Sequence, residues 1–180
     1  MIRAMNDGNH SKTSEPSGGW LRTVLIGRNP RFTAVRIVVL VAVSLVVFNF
    51  LLLPIRVQGI SMLPTYQTNR INFVNRLAYL FHEPRRGDVV AIRYAGKHVM
   101  LLKRIIGLPG ETVSFQGGQA CINGRPLHEP YVKFPCNWEI PPRQIGPNEY
   151  FVVGDNRSMP EAAHDKGKAD RRRIVGKVLL

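Results

Sequence analysis

The sequence has few cysteines, few acidic residues and no internal repeat. With only Cys121 and Cys136 in 180 residues, and no histidines at ligand spacing beside them, a disulfide scaffold and a zinc site are excluded. The two cysteines are either a bonded pair or two free thiols. Asp and Glu number 12 against 25 Lys and Arg, a formal net charge of +13. That charge is typical of a protein that meets nucleic acid or an anionic membrane surface.

A long apolar segment favours the membrane over nucleic acid. Residues 37–53 are apolar except for Ser44 and Asn49, and extension back to residue 32 gives about 20 residues, enough for a helix to cross the hydrocarbon. A buried core helix would have a polar face. A cleaved signal peptide would have a shorter apolar region followed by small residues. We therefore predict a permanent transmembrane helix over residues 32–55.

Basic and polar residues precede this segment. Residues 1–19 are rich in Gly, Ser and Asn and predict a disordered tail, and Arg22, Arg28 and Arg31 follow it. Cytoplasmic flanks of membrane helices are enriched in such cations. This predicts a cytoplasmic, disordered and basic tail over residues 1–31. Residues 56–180 are then expected on the extracytoplasmic side of the plasma membrane.

Beyond residue 56 the pattern indicates a mainly β domain with many turns. Residues 123–124 (Asn-Gly) have the composition of a two-residue hairpin turn, and residues 77–81 are compatible with a short helix. No long amphipathic helix is predicted. The predicted strands are residues 70–75, 88–94, 99–106, 112–115, 120–122, 150–153 and 174–180.

Two stretches contain candidate catalytic side chains. Ser61 lies just past the apolar segment in residues 59–65 (GISMLPT), and Lys103 lies in residues 100–106 (MLLKRII). A serine hydroxyl needs a base to become a nucleophile. None of the five histidines has a recognisable triad context. A lysine can replace histidine if burial lowers its pKa from about 10.4.

The surroundings of Lys103 fit such burial. On a strand it would share a face with Leu101 and Ile105, while Arg104 points the other way. By itself, this stretch is explained equally well by two exposed cations at the end of a strand.

Five motifs in order resemble the type I signal peptidase family. They are residues 59–65 (GISMLPT), 86–92 (RGDVVAI), 103–111 (KRIIGLPGE), 122–132 (INGRPLHEPYV) and 154–158 (GDNRS). The resemblance extends from about residue 50 to residue 180. It implies a membrane-anchored serine endopeptidase that removes signal peptides from translocated preproteins, with a β-rich catalytic domain whose apolar surface rests on membrane lipid. It also implies no metal or organic cofactor.

Residue by residue, the resemblance makes Ser61 the nucleophile and Lys103 its general base. The backbone N–H of Ser61 is expected to be the first oxyanion donor. Some members add a serine hydroxyl where this chain has Gly59. Three more residues, expected to shape the site, are Arg104, Asp155 and Arg157.

Signal peptides have small residues at the first and third positions before the cut. The pockets that receive these residues are therefore expected to be shallow and apolar, and the candidate residues for their walls are Ile60 and Leu102.

The chain departs from the family after residues 154–157. Members often have a serine and then an Asp-Ser-Arg run whose polar groups orient the lysine. The corresponding positions here are Pro160, Ala162, Ala163 and His164. Something else must hold Lys103, and the candidates are Ser158, Glu161 and His164. Outside the cytoplasm, Cys121 and Cys136 could form a disulfide.

The sequence alone leaves three other functions open. One is a specialised processing peptidase for conjugation or pilus substrates. Another is a non-catalytic, membrane-tethered β-domain that binds a partner, which would not need Ser61 and Lys103 together. A third is a Ser-Lys autoprotease regulator whose basic residues 166–173 touch nucleic acid, although the predicted topology places that segment away from DNA.

Overall fold

The structure, a computed structural model, describes residues 30–93 and 100–179. Contacts divide the chain into two units, Met1–Ser44 and Leu45–Leu180. The predicted tail over residues 1–19 lies outside the described residues. So do Tyr94, Val99 and Leu180, at the ends of three predicted strands.

An apolar helix opens the described chain. Helix α1 (Pro30–Val46) continues as a π-helix (Val47–Leu51), and the span Arg31–Leu51 is long and apolar enough to cross a membrane. Residues 52–55 are predicted from the sequence to continue the helix, but they form strand β1 (Leu52–Arg56) instead. Pro54 explains the difference, because proline lacks the N–H that a helix needs and disfavours helical geometry at the residue before it.

The remaining regular structure of the described residues is short strands and two 3₁₀ turns. The turns are Glu161–Ala163 and Arg171–Arg173. The strands after β1 are β2 (Ile71–Asn75), β3 (Val89–Arg93), β4 (Met100–Gly107), β5 (Thr112–Gln116), β6 (Gln119–Ile122), β7 (Arg125–Pro126), β8 (Ile140–Gln144), β9 (Glu149–Val153), β10 (Gly167–Asp170) and β11 (Ile174–Leu179).

These strands form two antiparallel sheets. The larger has seven strands in the order β1-β2-β11-β3-β4-β9-β10, and the smaller has four in the order β7-β6-β5-β8. Strand β11 is last in the chain but lies between β2 and β3. The larger sheet therefore joins segments that are far apart in the sequence.

The mainly β fold is confirmed, and each strand predicted from the sequence is present. The Asn123-Gly124 turn is also confirmed: both residues have positive φ, and they connect β6 to β7. Residues 77–81, compatible with a short helix, form a turn instead. Four strands were not predicted, β1, β7, β8 and β10, and each lies at an edge of its sheet. Edge strands accept proline and charge, so they lack the apolar alternation that identifies a strand.

Strand β4 connects the parts of the core. Ile106 packs in a cluster between the two sheets, with Phe115, Trp138 and Phe151. Ile105 packs in a second cluster with Val90 and Val152. Because consecutive residues of β4 are fixed on opposite sides, the backbone that presents Lys103 and Arg104 is held rigidly.

Candidate active site

Ser61 lies in the loop between β1 and β2. Gly59 precedes it with φ of +93°, a conformation that a residue with a side chain adopts only with strain. Met62 follows it and is 2 % exposed, packed in a core cluster with Val57 and Tyr66. The buried Met62 anchors the loop from the inside. The neighbouring serine is left half-buried at its surface.

The segment after β9 fixes the same loop from the other side. The backbone N–H of Asn156 donates to the carbonyl oxygen of Ser61 at 3.0 Å. The side-chain amide of Asn156 donates to the carbonyl oxygen of Ile60, also at 3.0 Å. Asn156 therefore fixes the backbone carbonyl groups of both Ile60 and Ser61. The Ser61 hydroxyl is not involved in these bonds and is available to interact with Lys103.

Lys103 reaches Ser61 from β4, where it pairs with Val90 of β3. Its Nζ lies 3.1 Å from the Ser61 Oγ, and the lysine is only 2 % exposed. Burial lowers the pKa of Lys103 to about 8, against the opposing effect of the Asp165 carboxylate. A neutral amine is therefore accessible near neutral pH. It is placed where it can take the proton of the serine hydroxyl.

The pair opens into a cleft of about 640 Å³. Ile60 and Leu102, the predicted pocket walls, both line it. So do residues 53–59, which lead from β1 into the Ser61 loop, and three residues of the loop after β9, Met159, Ala163 and Asp165. Its lining thus combines residues of β1, the Ser61 loop and β4.

A buried ion pair lies behind the serine loop. Arg104 donates through Nε and Nη2 to the two carboxylate oxygens of Asp155, at 2.8 and 2.6 Å, and Asp155 is fully buried. Thr65 Oγ1 donates to the same carboxylate at 2.6 Å. The Arg104 guanidinium also stacks on the ring of Tyr131, 3.9 Å from its centroid. Asp155 thus links β4 to the end of the serine loop.

Arg157 makes a second buried pair, with Glu129. Its guanidinium donates to both Glu129 carboxylate oxygens, at 2.5 and 3.1 Å, and to the Gly154 carbonyl oxygen at 2.9 Å. Arg157 is 1 % exposed. Neither residue touches the Ser61–Lys103 pair directly. Arg157 instead fixes the turn from which Asp155 and Asn156 support the serine.

The structure thus brings Ser61, Lys103, Arg104, Asp155 and Arg157 into one region, together with both pocket residues. Gly59 lies beside them but has no side-chain donor to offer. Of the candidates for holding Lys103, Ser158 donates to Asn156 Oδ1 at 2.7 Å, and Glu161 pairs with Lys166 at 3.2 Å. His164 is buried, and its pKa is affected by the charge of Lys103.

Of the two states that the sequence leaves open for Cys121 and Cys136, the structure has free thiols. Cys121 and Cys136 are both free thiols, and their Sγ atoms lie against different carbonyl oxygens, those of Gln119 and Gly118. Cys121 is buried in β6, and Cys136 is partly buried against the core cluster that contains Phe115 and Trp138. Both behave as small core side chains, a common role for free cysteine.

Asp165 is a site residue that sequence reasoning missed. It lines the cleft with Ser61 and Lys103, and it also lines a smaller cavity with Leu101, Lys103 and Val152. Its charge favours the ammonium form of the lysine. An aspartate in a loop of irregular backbone gives no periodic signal, so only its place after the altered family motif could have indicated it.

Replacing Asp165 with asparagine is expected to shift the acid limb of the kcat/KM profile to lower pH. The aspartate raises the pKa of Lys103, so its loss lowers that pKa below about 8. Because Asp165 is exposed, water screens the effect, and we expect a shift of less than about one pH unit. Asp170→Asn, at a site in β10, is the charge-matched control. An acid limb that stays in place or moves upward in Asp165→Asn would contradict the assignment.

Comparisons with known proteins identify relatives of this chain. Residues 31–180 match the family described as signal peptidase, peptidase S26. A signal peptidase I of Leptolyngbya laminosa is 35 % identical over 128 residues, which cover 67 % of this chain and 63 % of that protein, less than two thirds of its length. Signal peptidase I S of Bacillus subtilis is 34 % identical over 152 residues, which cover 78 % of this chain and 82 % of that protein. A crystal structure of a signal peptidase I from Enterococcus faecalis aligns with 54 % of this chain and 97 % of its own, at 26 % identity and a TM-score of 0.43.

Proposed function

The chain belongs to the signal peptidase family, peptidase S26, and we propose on that basis that it is a membrane-anchored serine endopeptidase that cleaves signal peptides from translocated preproteins. The observation that carries the proposal is the 3.1 Å approach of the Lys103 Nζ to the Ser61 Oγ in a buried setting. The span Arg31–Leu51 would be the anchor. With the N-terminus in the cytoplasm, the β-rich part lies on the extracytoplasmic side of the plasma membrane.

In the proposed reaction, the neutral Lys103 amine takes the proton of the Ser61 hydroxyl as the oxygen attacks the scissile carbonyl carbon. The negative charge on the carbonyl oxygen is stabilised by hydrogen-bond donors, of which the Ser61 backbone N–H is the first. The Lys103 ammonium then gives its proton to the departing amine, and the peptide bond breaks. An acyl-enzyme on Ser61 remains. Water, deprotonated by Lys103, hydrolyses it by the reverse sequence.

The burial of Lys103 distinguishes this function from that of a tethered binding module. An amine that is 2 % exposed, and that has no ion pair among the described residues, raises the free energy of the folded state, because its charged form loses hydration. A binding module gains nothing from that arrangement. A general base requires it.

Preproteins with small residues before the cut are the proposed substrates. Wild-type protein in detergent is expected to cleave an A-x-A preprotein after the second alanine. Phenylalanine in place of that alanine should lower kcat/KM by at least about 100-fold, because a shallow pocket walled by Ile60 and Leu102 cannot admit it. Cleavage is followed by N-terminal sequencing of the product.

The matched control for this experiment changes only the middle residue of the A-x-A site. Its side chain is expected to point away from the pockets, as alternate residues of an extended chain do, so cleavage should persist. Ser61→Ala protein from the same preparation controls for contaminating proteases. Equal cleavage of the alanine and phenylalanine preproteins would refute the pocket assignment, and an inert wild type would refute the function.

A further inference from the structure

His164 is a buried titratable side chain that the proposed reaction does not use. It is 4 % exposed, and neither ring nitrogen makes a hydrogen bond within residues 30–93 and 100–179. The backbone of Asp165 lies close enough to influence the ring but not at hydrogen-bond geometry. Leaving a buried polar atom unbonded raises the free energy of the folded state. Such groups in native proteins usually bond an ordered water or serve the site beside them.

The ring is held beside the nucleophile by packing. It meets Trp138 edge-on, with centroids 4.9 Å apart and planes at 86°. On its other side is Gly154, where a Cβ atom would lie 2.7 Å from the His164 Cε1 and 3.0 Å from Nε2. The same Cβ would collide with the Ser61 carbonyl oxygen. The imidazole and the peptide of the nucleophile therefore approach the same side of Gly154, which only glycine permits.

The charges of three cations act on His164. They are Lys103 of β4, Arg157 of the turn after β9, and Lys166 of the segment that follows His164 itself. Burial first, and then the charge of Lys103, lower the pKa of His164 to about 4. The ring is therefore neutral at any working pH, with one nitrogen that donates and one that accepts. An accepting nitrogen is what an amine that only donates N–H bonds requires as a partner.

We propose that His164 is a positioning residue for Lys103, and that its neutral ring accepts, through one ordered water, a hydrogen bond from the Lys103 amine. With one N–H directed to that water, the lone pair of Nζ is oriented toward the Ser61 hydroxyl. The role would replace that of the polar residues that this chain lacks at Pro160, Ala162 and Ala163. Its kinetic consequence rests on the proposed peptidase function.

The test compares His164→Phe with His164→Gln in the full chain in detergent. Phenylalanine keeps a flat ring against Trp138 but has no nitrogen, whereas glutamine keeps an acceptor. We expect His164→Phe to lower kcat by about tenfold with KM unchanged, because a misdirected base costs rate rather than binding. His164→Gln should stay within about threefold of wild type. Asp170→Asn, at a residue that does not line the cleft, is the control, since it should change neither the acid limb nor the plateau of kcat.

A second readout does not depend on cleavage. The ¹³C shift of Lys103 Cε can be titrated in Ser61→Ala protein, with and without His164→Phe. Loss of the acceptor should destabilise the ammonium and lower the titration midpoint by about half a pH unit. This readout decides the link to Lys103 even if wild type cleaves no preprotein.

Two results would overturn the proposal. One is a His164→Phe protein with unchanged kcat and an unchanged Lys103 midpoint. The other is an equal loss of kcat in the Phe and Gln variants with an unchanged midpoint, because that pattern indicates packing alone.

Discussion

Replacing Lys103 with methionine is expected to lower kcat/KM for preprotein cleavage by on the order of 10⁴-fold or more, and Ser61→Ala by a similar factor. Methionine fills nearly the volume of lysine but cannot accept a proton, so the Ser61 hydroxyl at 3.1 Å loses its base. Because serine and base act as one unit, the double variant should be no worse than either single one. Initial rates of preprotein cleavage measure all three.

The stability of Lys103→Met separates loss of chemistry from loss of fold. The folded-state pKa of about 8 lies below the unfolded value, so between about pH 8 and 10.5 the unfolded chain binds more protons and wild-type stability rises with pH. Near pH 7 the buried ammonium is therefore destabilising. Methionine should stabilise the protein there by about 1 to 3 kcal/mol, a gain that fades above about pH 10. Wild-type kcat/KM should rise with pH through about 8. Full activity in Lys103→Met would rule out the mechanism.

Asp155→Asn is expected to destabilise the fold by about 3 to 5 kcal/mol, since it leaves Arg104 as an uncompensated buried cation. The amide oxygen of the substituted side chain could still accept the hydrogen bond from Thr65. The loss of stability therefore measures the effect of removing the negative charge. The expected fall in the midpoint of thermal unfolding is about 10 °C or more. Near-UV circular dichroism of the detergent-solubilised protein measures it. Activity should fall with it, because Asp155 supports the loop that presents Ser61.

The chain offers a matched control in an exposed pair of the same chemistry. Asp170 and Arg172 approach to 3.1 Å, with Arg172 90 % exposed, and Asp170→Asn should change stability by less than about 1 kcal/mol. Adding Arg104→Met to Asp155→Asn removes the orphaned cation and should restore much of the lost stability. An Asp155→Asn protein as stable as the Asp170→Asn protein would show that the buried pair has no special role.

The sequence predicted the fold and the contact between Ser61 and Lys103 for different reasons. The inner strands have recognisable apolar patterns, alternating in β2 and continuous over the first four residues of β3, so both were predictable. The edge strands were not: Pro54 lies in β1, Pro126 lies in β7, Pro141 and Pro142 lie in β8, and two of the four residues of β10 are charged. Their pairing depends on a neighbouring strand that local sequence does not specify.

At the site, ordered motifs indicated Ser61 and Lys103, but not what surrounds them. Asp165 and His164 are adjacent in the chain, yet one faces the cleft and the other is buried behind it. In a loop without regular geometry, sequence order does not give side-chain direction. The sequence left the state of Cys121 and Cys136 open for a similar reason, because separation along the chain says nothing about where two thiols point.

The position of β11 has a consequence for when the proposed site can first form. This strand lies between β2, which follows the serine loop, and β3, which pairs with the lysine strand. Until synthesis has reached Leu179, the seven-stranded sheet lacks the strand between these two pairs. A nascent chain that ends before β11 therefore contains Ser61 and Lys103, but its sheet lacks the strand that joins the parts presenting them. In the proposed peptidase, activity is expected only after this last strand has paired.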